Sequence, residues 1–275
     1  MQHQLLSYKN SGVSYYQFGS GPKAAICFHG FGEEGTLYSF LEKYAGNQYT
    51  FYSIDLPFHG KTKWNEELKF THQDLQHVIQ KIFEQNNLKH LSPTNKLSLL
   101  GFSLGGRIAL SLYQAQPESV EKIILLAPDG LKVNFWYWFS TQTWIGNKIF
   151  SFSMQYPGWF FGFLKAVNKM GLVNASVFKF VNYYIGNKEA RQLLYQRWTG
   201  LRKLRPNLPR IKKSIRQYKT PTRLVYGKYD RIILPVRGEL FQKGIEEYCT
   251  LTVIASGHQV VHENHVEEIL AALLQ

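Results

Sequence analysis

One hexapeptide, Gly101–Gly106, constrains the fold of this chain more than any other segment. It reads Gly-Phe-Ser-Leu-Gly-Gly and contains the pattern G-x-S-x-G. The apolar run Leu97–Leu100 before it is typical of a buried strand, and apolar residues at helical spacing follow from Leu104 onward. Glycines on both sides of Ser103 leave room for a sharp turn that exposes the serine hydroxyl. The segment therefore predicts a strand, a tight turn and a helix, with Ser103 as a candidate nucleophile.

Apolar runs alternate with helical segments along most of the chain. This alternation predicts an α/β fold with a mostly parallel sheet that helices cover on both faces. The run Leu5–Tyr8 directly precedes another apolar run, so we expect an antiparallel N-terminal edge. Strands are predicted at Val13–Phe18, Ala24–Phe28, Thr50–Asp55, Leu97–Gly101, Ile123–Ala127, Arg223–Gly227 and Leu251–Ile254. Helices are predicted at Leu37–Tyr44, Thr71–Asn87, Leu104–Gln116, Gly238–Glu247 and Val261–Leu274.

The alternation stops after Pro128. Between Leu131 and Trp198 lie 19 of the chain's 42 aromatic residues. Residues 130–229 also hold 18 Lys and Arg side chains but a single acid, Glu189. We interpret residues 131–219 as an inserted, mainly helical cap, and residues 1–130 and 220–275 as the core. Open α/β folds bind ligands at the carboxyl ends of their strands, which is where this insertion should lie.

A serine nucleophile needs a base to take its proton and a carboxylate to orient that base. His258 is the candidate base, because it follows the last predicted strand and a short loop that ends at Gly257. Asp230 is the candidate acid, because it comes soon after the strand at 223–227. Asp129 also lies at a strand end and stays open as the alternative acid, although Pro-Asp-Gly is a strong turn sequence in its own right.

The tetrahedral intermediate of an acyl transfer needs two backbone N–H donors for its oxyanion. The amide of Leu104, directly after the serine, is one candidate. The other candidate is the amide of Phe31, in the glycine-rich loop His29-Gly30-Phe31-Gly32 after an early strand. Glycines in that loop permit a close approach of the backbone.

Four segments taken together resemble the α/β-hydrolase superfamily: His29–Gly32, Asp55–Gly60, Gly101–Gly106 and the pair Asp230 and His258. They follow one another in the order of that family. The resemblance implies an eight-stranded sheet, a cap inserted after the sixth strand and no cofactor. Two positions depart from the family pattern: Phe58 replaces a glycine, and Asn264 stands where a proline is common. A serine at 103 argues against dehalogenases and epoxide hydrolases, which use a carboxylate nucleophile.

Substrate-binding residues are harder to predict. Phe102 precedes the serine, and the cap residues Trp136 and Trp159 are candidates for lining an acyl or aryl pocket, although core packing explains most such aromatics. Arg107, in Gly-Gly-Arg after the serine, resembles an arginine with which some superfamily members bind anionic substrates. Its alternative role is a helix arginine paired with an acid.

The formal net charge of +13 has several explanations. A solvated surface is the default, followed by attraction to an anionic substrate. A third is peripheral contact of the basic, aromatic cap with an anionic membrane. No recognition motif for nucleic acid accompanies the charge, so we expect no nucleic-acid partner. The sequence leaves the oligomeric state open.

These patterns predict a serine hydrolase that cleaves a carboxylic ester or related acyl bond of a small molecule, without metal or cofactor. A lyase or C–C bond hydrolase that uses the same triad on an anionic substrate is the alternative. A binding protein that has kept the fold but not the activity is the rival from another class. The two cysteines, Cys27 and Cys249, form no disulfide or metal pattern, and the polar start of the chain lacks a signal peptide. We therefore expect a cytoplasmic location.

Overall fold

The computed structural model describes residues 1–88, 92, 94–162 and 186–275. Its eight strands form one sheet in the order β1-β2-β4-β3-β5-β6-β7-β8. Strand β2 is antiparallel to both of its neighbours, whereas the pairs from β4 to β8 are parallel. The predicted eight-stranded, mostly parallel sheet flanked by helices is thus confirmed. The strands are β1 (Gln2–Tyr8), β2 (Ser11–Phe18), β3 (Lys23–Phe28), β4 (Tyr49–Ile54), β5 (Leu97–Phe102), β6 (Val120–Leu126), β7 (Thr222–Gly227) and β8 (Cys249–Ile254).

The helices of the described residues follow the predicted pattern in the sheet region and extend into the insertion. They are α1 (Leu41–Ala45), α2 (His72–Gln85), α3 (Leu104–Ala115), α4 (Phe135–Gln142), α5 (Trp144–Gln155), α6 (Lys188–Gly200), α7 (Leu208–Tyr218), α8 (Val236–Gln242) and α9 (Val266–Leu274). Every residue of β5 is buried, as expected for a strand that helices cover on both faces. Among the described residues, no helix combines the length and the apolar character needed to cross a membrane.

Helix α2 begins with a capping box that also anchors the N-terminal hairpin. Thr71 and Asp74 exchange hydrogen bonds at its first turn. The carboxylate of Asp74 also accepts hydrogen bonds from Tyr8 Oη and Lys9 Nζ, both at 2.7 Å. Burial alone would raise the pKa of Asp74, but the bonds from Lys9, Thr71 and Tyr8 outweigh it and lower the pKa to about 2.

The chain divides into two compact units. The first holds Met1–Glu66, Phe70–Lys132 and Leu204–Gln275, and therefore the whole sheet. The second holds Glu67–Lys69 and Val133–Lys203, of which residues 163–185 lie outside the described part. Residues 204–219, which are part of the predicted cap, belong to the first unit. The reason is that Ile211 and Ile215 of α7 are fully buried, and α7 packs against α3.

The second unit has its own aromatic core. Phe150 of α5 packs against the rings of Tyr195 and Trp198 of α6, with centroids 5.2 and 5.6 Å away. Tyr137 of α4 meets Trp198 edge to face at 5.3 Å. Three helices, α4, α5 and α6, thus share one cluster of rings. Four of the aromatic residues in this segment, Tyr137, Phe150, Tyr195 and Trp198, serve that packing.

Candidate active site

Ser103 occupies a strained turn between β5 and α3. Its φ of 49° and ψ of −115° lie where side chains other than glycine are rare. A Cβ on Gly105 would overlap the carbonyl oxygen of Phe28, so only glycine permits this close approach of α3 to β3. The Ser103 carbonyl accepts the N–H groups of Gly106 and Asp129 at 2.9 and 2.8 Å. These contacts hold the turn in a conformation that an isolated peptide would not adopt.

His258 lies between Ser103 and Asp230. Its Nε2 is 3.0 Å from Ser103 Oγ, and its Nδ1 is 2.7 Å from Asp230 Oδ2. The other oxygen of Asp230 accepts the N–H groups of Ile232 and Ile233 at 2.7 and 2.9 Å. The Asp230 side chain is fully buried, whereas that of His258 is 21% exposed. The three side chains therefore form one hydrogen-bonded series whose carboxylate end is held by the backbone.

The loops after β7 and β8 must lie in contact for this series to form, and Gly227 allows this contact. A Cβ on Gly227, the last residue of β7, would overlap the carbonyl oxygen of Gly257 in the loop after β8. Backbone hydrogen bonds from Lys228 to Ile254 and from Tyr229 to Ser256, 2.8 and 2.9 Å long, join the loops. The carboxyl ends of two adjacent parallel strands thus place the acid beside the base.

Asp129, the alternative acid, makes other contacts. Its Oδ1 accepts the N–H of Gly130 at 2.7 Å, and its Oδ2 lies 3.6 Å from Nε of Arg107. The structure therefore brings Asp230, and not Asp129, to His258.

The loop after β3 lies against the serine. A Cβ on Gly30 would come within 2.8 Å of the Phe102 ring and 3.5 Å of Ser103 Cβ, so the backbone passes close to both. His29, fully buried, fixes this loop: its Nε2 accepts the N–H of Leu56 at 3.0 Å, and its Nδ1 lies 2.8 Å from the carbonyl oxygen of Gly30. Phe31 follows directly in this loop. Leu104 is the first residue of α3, where N–H groups have no partner within the helix.

The Asp55–Gly60 segment contacts the loop after β3 and holds it in place. The buried carboxylate of Asp55 accepts the N–H of Gly35 at 2.6 Å, the hydroxyl of Ser14 at 2.7 Å and the N–H of Lys61 at 2.9 Å. Phe58, which departs from the family pattern, has a φ of 65°. It therefore adopts the left-handed conformation for which glycine is preferred at this turn.

Comparison with known proteins identifies the family of this chain. The family model described as "alpha/beta hydrolase fold" matches residues 24–265. The chain belongs to the α/β hydrolase family. The resemblance inferred from the sequence is thus confirmed.

Individual relatives of this hydrolase are distant. A pimeloyl-[acyl-carrier protein] methyl ester esterase of Wigglesworthia glossinidia brevipalpis is 25% identical over 227 residues, 80% of this chain and 79% of that protein. The uncharacterized hydrolase YugF of Bacillus subtilis is 27% identical over 118 residues, 42% of this chain and 41% of that protein. The match to YugF thus spans less than half of its length. A solved carboxylesterase of Nitrososphaera gargenis shares the fold, with a TM-score of 0.66 and 16% identity over 98% of this chain and 97% of that one.

Of the four predicted substrate-binding residues, two are buried and two are exposed. Phe102 is buried, with its ring 5.3 Å from that of His258, so it supports the histidine from within the protein. Arg107 is also buried, next to Asp129, which matches its alternative role as a helix arginine paired with an acid. Trp136 and Trp159 lie in the second unit and are 71% and 46% exposed.

Sequence reasoning missed Glu33. This half-buried residue lies two positions after Phe31 in the loop beside the serine. Burial raises the pKa of its carboxyl, Glu34 adds to the rise, and the charge of His258 opposes it. The hydrolase thus carries a second carboxyl group within electrostatic reach of its histidine. Only its closeness in sequence to the glycine-rich loop could have indicated this.

No cluster of His, Cys, Asp and Glu that could hold a metal is found within the described ranges.

Proposed function

We propose that this hydrolase cleaves a carboxylic ester, or a related acyl bond, of a small molecule through an acyl-enzyme on Ser103. The observation that carries the proposal is the hydrogen-bonded series from Ser103 through His258 to Asp230, with distances of 3.0 and 2.7 Å. In this arrangement the histidine has one nitrogen toward the nucleophile and the other toward a carboxylate. Both are required for general-base activation of a serine.

The chemistry follows from these positions. His258 Nε2 takes the proton of Ser103 Oγ while the oxygen attacks the acyl carbon. The N–H groups of Leu104 and Phe31 then stabilise the negative oxygen of the tetrahedral intermediate. His258 returns the proton to the departing alcohol, and the acyl group stays on Ser103. Water, activated by the same nitrogen, releases the carboxylic acid and restores the serine.

Two observations favour an ester over the alternative lyase or C–C bond chemistry. The relative that matches four-fifths of this chain carries the name of a methyl ester esterase. Arg107, on which the anionic-substrate alternative depended, is buried beside Asp129, and this contact suits a structural role.

We also propose that the second unit is the cap of the active site. It is inserted between β6 and β7, whose carboxyl ends carry the loops of Asp129 and Asp230. Ligands of open α/β folds bind at this edge of the sheet. If the cap shapes the acyl pocket, the variants Trp136→Ala and Trp159→Ala should change the preferred acyl length without removing turnover.

The direct test is hydrolysis of p-nitrophenyl esters from acetate to palmitate by the wild type and by Ser103→Ala. We expect turnover that peaks at one chain length and falls at least about a thousandfold in the variant. Labelling by a fluorophosphonate probe, lost only in Ser103→Ala, would support the nucleophile. Retention of the parent activity by a folded Ser103→Ala protein would exclude the proposal.

A further inference from the structure

Helix α5 exposes several large apolar side chains to solvent. Four of its residues, and Tyr156 directly after its last residue, are between 44% and 75% exposed: Trp144, Ile145, Ile149, Phe152 and Tyr156. Spacings of three, four and seven residues place them on one face of the helix, together with Lys148. We call these six residues the aromatic face. A surface helix of a globular protein normally presents polar residues there, and α5 departs from this pattern.

The inward side of α5 carries Phe150 and the buried Met154 together with the polar Asn147, whose hydrogen bonds fix the orientation of the helix. The side-chain amide of Asn147 donates to the carbonyl oxygen of Ser140 at 2.9 Å and to the hydroxyl of Thr199 at 3.1 Å. Its oxygen accepts the hydroxyl of Tyr195 at 3.2 Å. Rotating α5 to bury its apolar side would break all three bonds. The aromatic face is therefore exposed because the packing of the second unit holds the helix in this orientation.

The composition of this surface indicates what it meets. The segment Val133–Gly162 contains one charged residue, the exposed Lys148, and no acid. The ring of Phe152 lies near the tilted rings of Tyr156 and Trp159, with centroids 5.2 and 6.4 Å away, which extends the apolar area beyond the helix. Tryptophan, tyrosine and the long stem of lysine are the side chains that favour the boundary between lipid headgroups and acyl chains. A cation without a nearby acid is complementary to lipid phosphate.

We propose that the aromatic face docks on the surface of a phospholipid bilayer, with α5 lying in the plane of the headgroups. This property is separate from the ester hydrolysis proposed above. The burial of apolar area supplies most of the binding, because the face carries only one cation. It differs in this respect from the electrostatic contact that the basic composition suggested. A symmetric contact with a second copy is less favourable, since it would bring two Lys148 side chains together without an acid.

The test measures co-sedimentation of the full chain with vesicles of ether-linked phosphatidylcholine, whose alkyl chains are joined to glycerol without a carboxylic ester bond. We expect binding to these zwitterionic vesicles that persists at high salt, where charge interactions are screened. The double variant Ile145→Ser/Phe152→Ser should lose at least about tenfold in partition coefficient. Leu5→Ser is the matched control, because Leu5 on β1 is 61% exposed and Ile145 is 60% exposed. Its partitioning should equal that of the wild type.

Three results would overturn the proposal. The first is the absence of binding by the wild type. The second is binding that requires anionic lipid and disappears at high salt, since it would assign the contact to the basic residues elsewhere. The third is a wild-type dimer in analytical ultracentrifugation that becomes a monomer in the double variant. Thermal unfolding and p-nitrophenyl acetate turnover of each variant show whether the fold and the active site are intact.

Discussion

Replacing Asp230 by asparagine tests the assignment of the acid. The two side chains have the same shape. The N–H groups of Ile232 and Ile233 donate to Asp230 at 2.7 and 2.9 Å, and the amide oxygen of asparagine can accept both of these hydrogen bonds. The amide NH2 would then face His258 Nδ1, which lies 2.7 Å from the carboxylate in the wild type. Because an NH2 group can only donate, it favours the tautomer with the proton on Nε2. That tautomer cannot accept the proton of Ser103.

The expected loss in kcat is about 10³–10⁴-fold, with little change in KM, because substrate binding does not involve Asp230. This factor corresponds to about 4–5.5 kcal/mol of transition-state stabilisation. The assay is turnover of the best p-nitrophenyl ester over a range of concentrations. Circular dichroism and thermal unfolding check that the variant is folded.

Asp129→Asn is the matched control. Asp129 also follows a strand of the sheet, and its backbone N–H binds the Ser103 carbonyl, but its carboxylate faces Arg107 and Gly130. We expect kcat to stay within about threefold of the wild type, because the reacting histidine keeps its tautomer. A thousandfold loss in Asp129→Asn, with a tenth or more of the activity left in Asp230→Asn, would refute the reasoning.

Three further predictions concern stability. Gly105→Ala should destabilise the fold by about 1–3 kcal/mol or more, because its methyl group overlaps the Phe28 carbonyl, whereas Gly158→Ala, with no atom within 4 Å of the added carbon, should be nearly neutral in thermal unfolding. The stability difference between the wild type and Asp74→Asn should shrink as pH falls from about 4 to 2. The pKa of Asp74 is lowered from 3.8 to about 2 in the folded protein. The stabilisation by the charged carboxylate is therefore complete above the pKa of the unfolded state and is lost as pH falls through the pKa of the folded state. Lys219→Gly should raise the free energy of unfolding by about 0.5–1 kcal/mol, since Lys219 ends α7 in the left-handed region with a φ of 51°.

Each of these predictions has an outcome that would contradict it. Equal melting temperatures for Gly105→Ala and the wild type would mean that α3 can move away from β3 at no cost. A pH-independent effect of Asp74→Asn in urea unfolding would show that its hydrogen bonds do not depend on charge. A destabilised Lys219→Gly would mean that the lysine side chain contributes more than its backbone conformation costs.

The sequence alone was sufficient for the turn at Ser103 and for the order of strands and helices around it. The physical reason is that these features are local. A glycine next to a tight turn, a fully apolar strand and a helical apolar period are each encoded within about a dozen residues. The C-terminal boundary of the insertion was harder to predict from the sequence. Helix α7 is itself basic, like the predicted cap, and only the burial of Ile211 and Ile215 in the first unit shows where it belongs.

Only the tertiary structure decided which carboxylate meets His258, what Arg107 contacts and which side of α5 faces solvent. Asp129 and Asp230 both follow strands, and the sequence favours Asp230 by its position but leaves Asp129 open. The choice between them rests on the contact between the loops after β7 and β8, which Gly227 makes possible. Likewise, a helical period shows that α5 has two faces, but the hydrogen bonds of Asn147 to α4 and α6 determine which one is buried. Such choices depend on residues far apart in the chain, and no local pattern contains them.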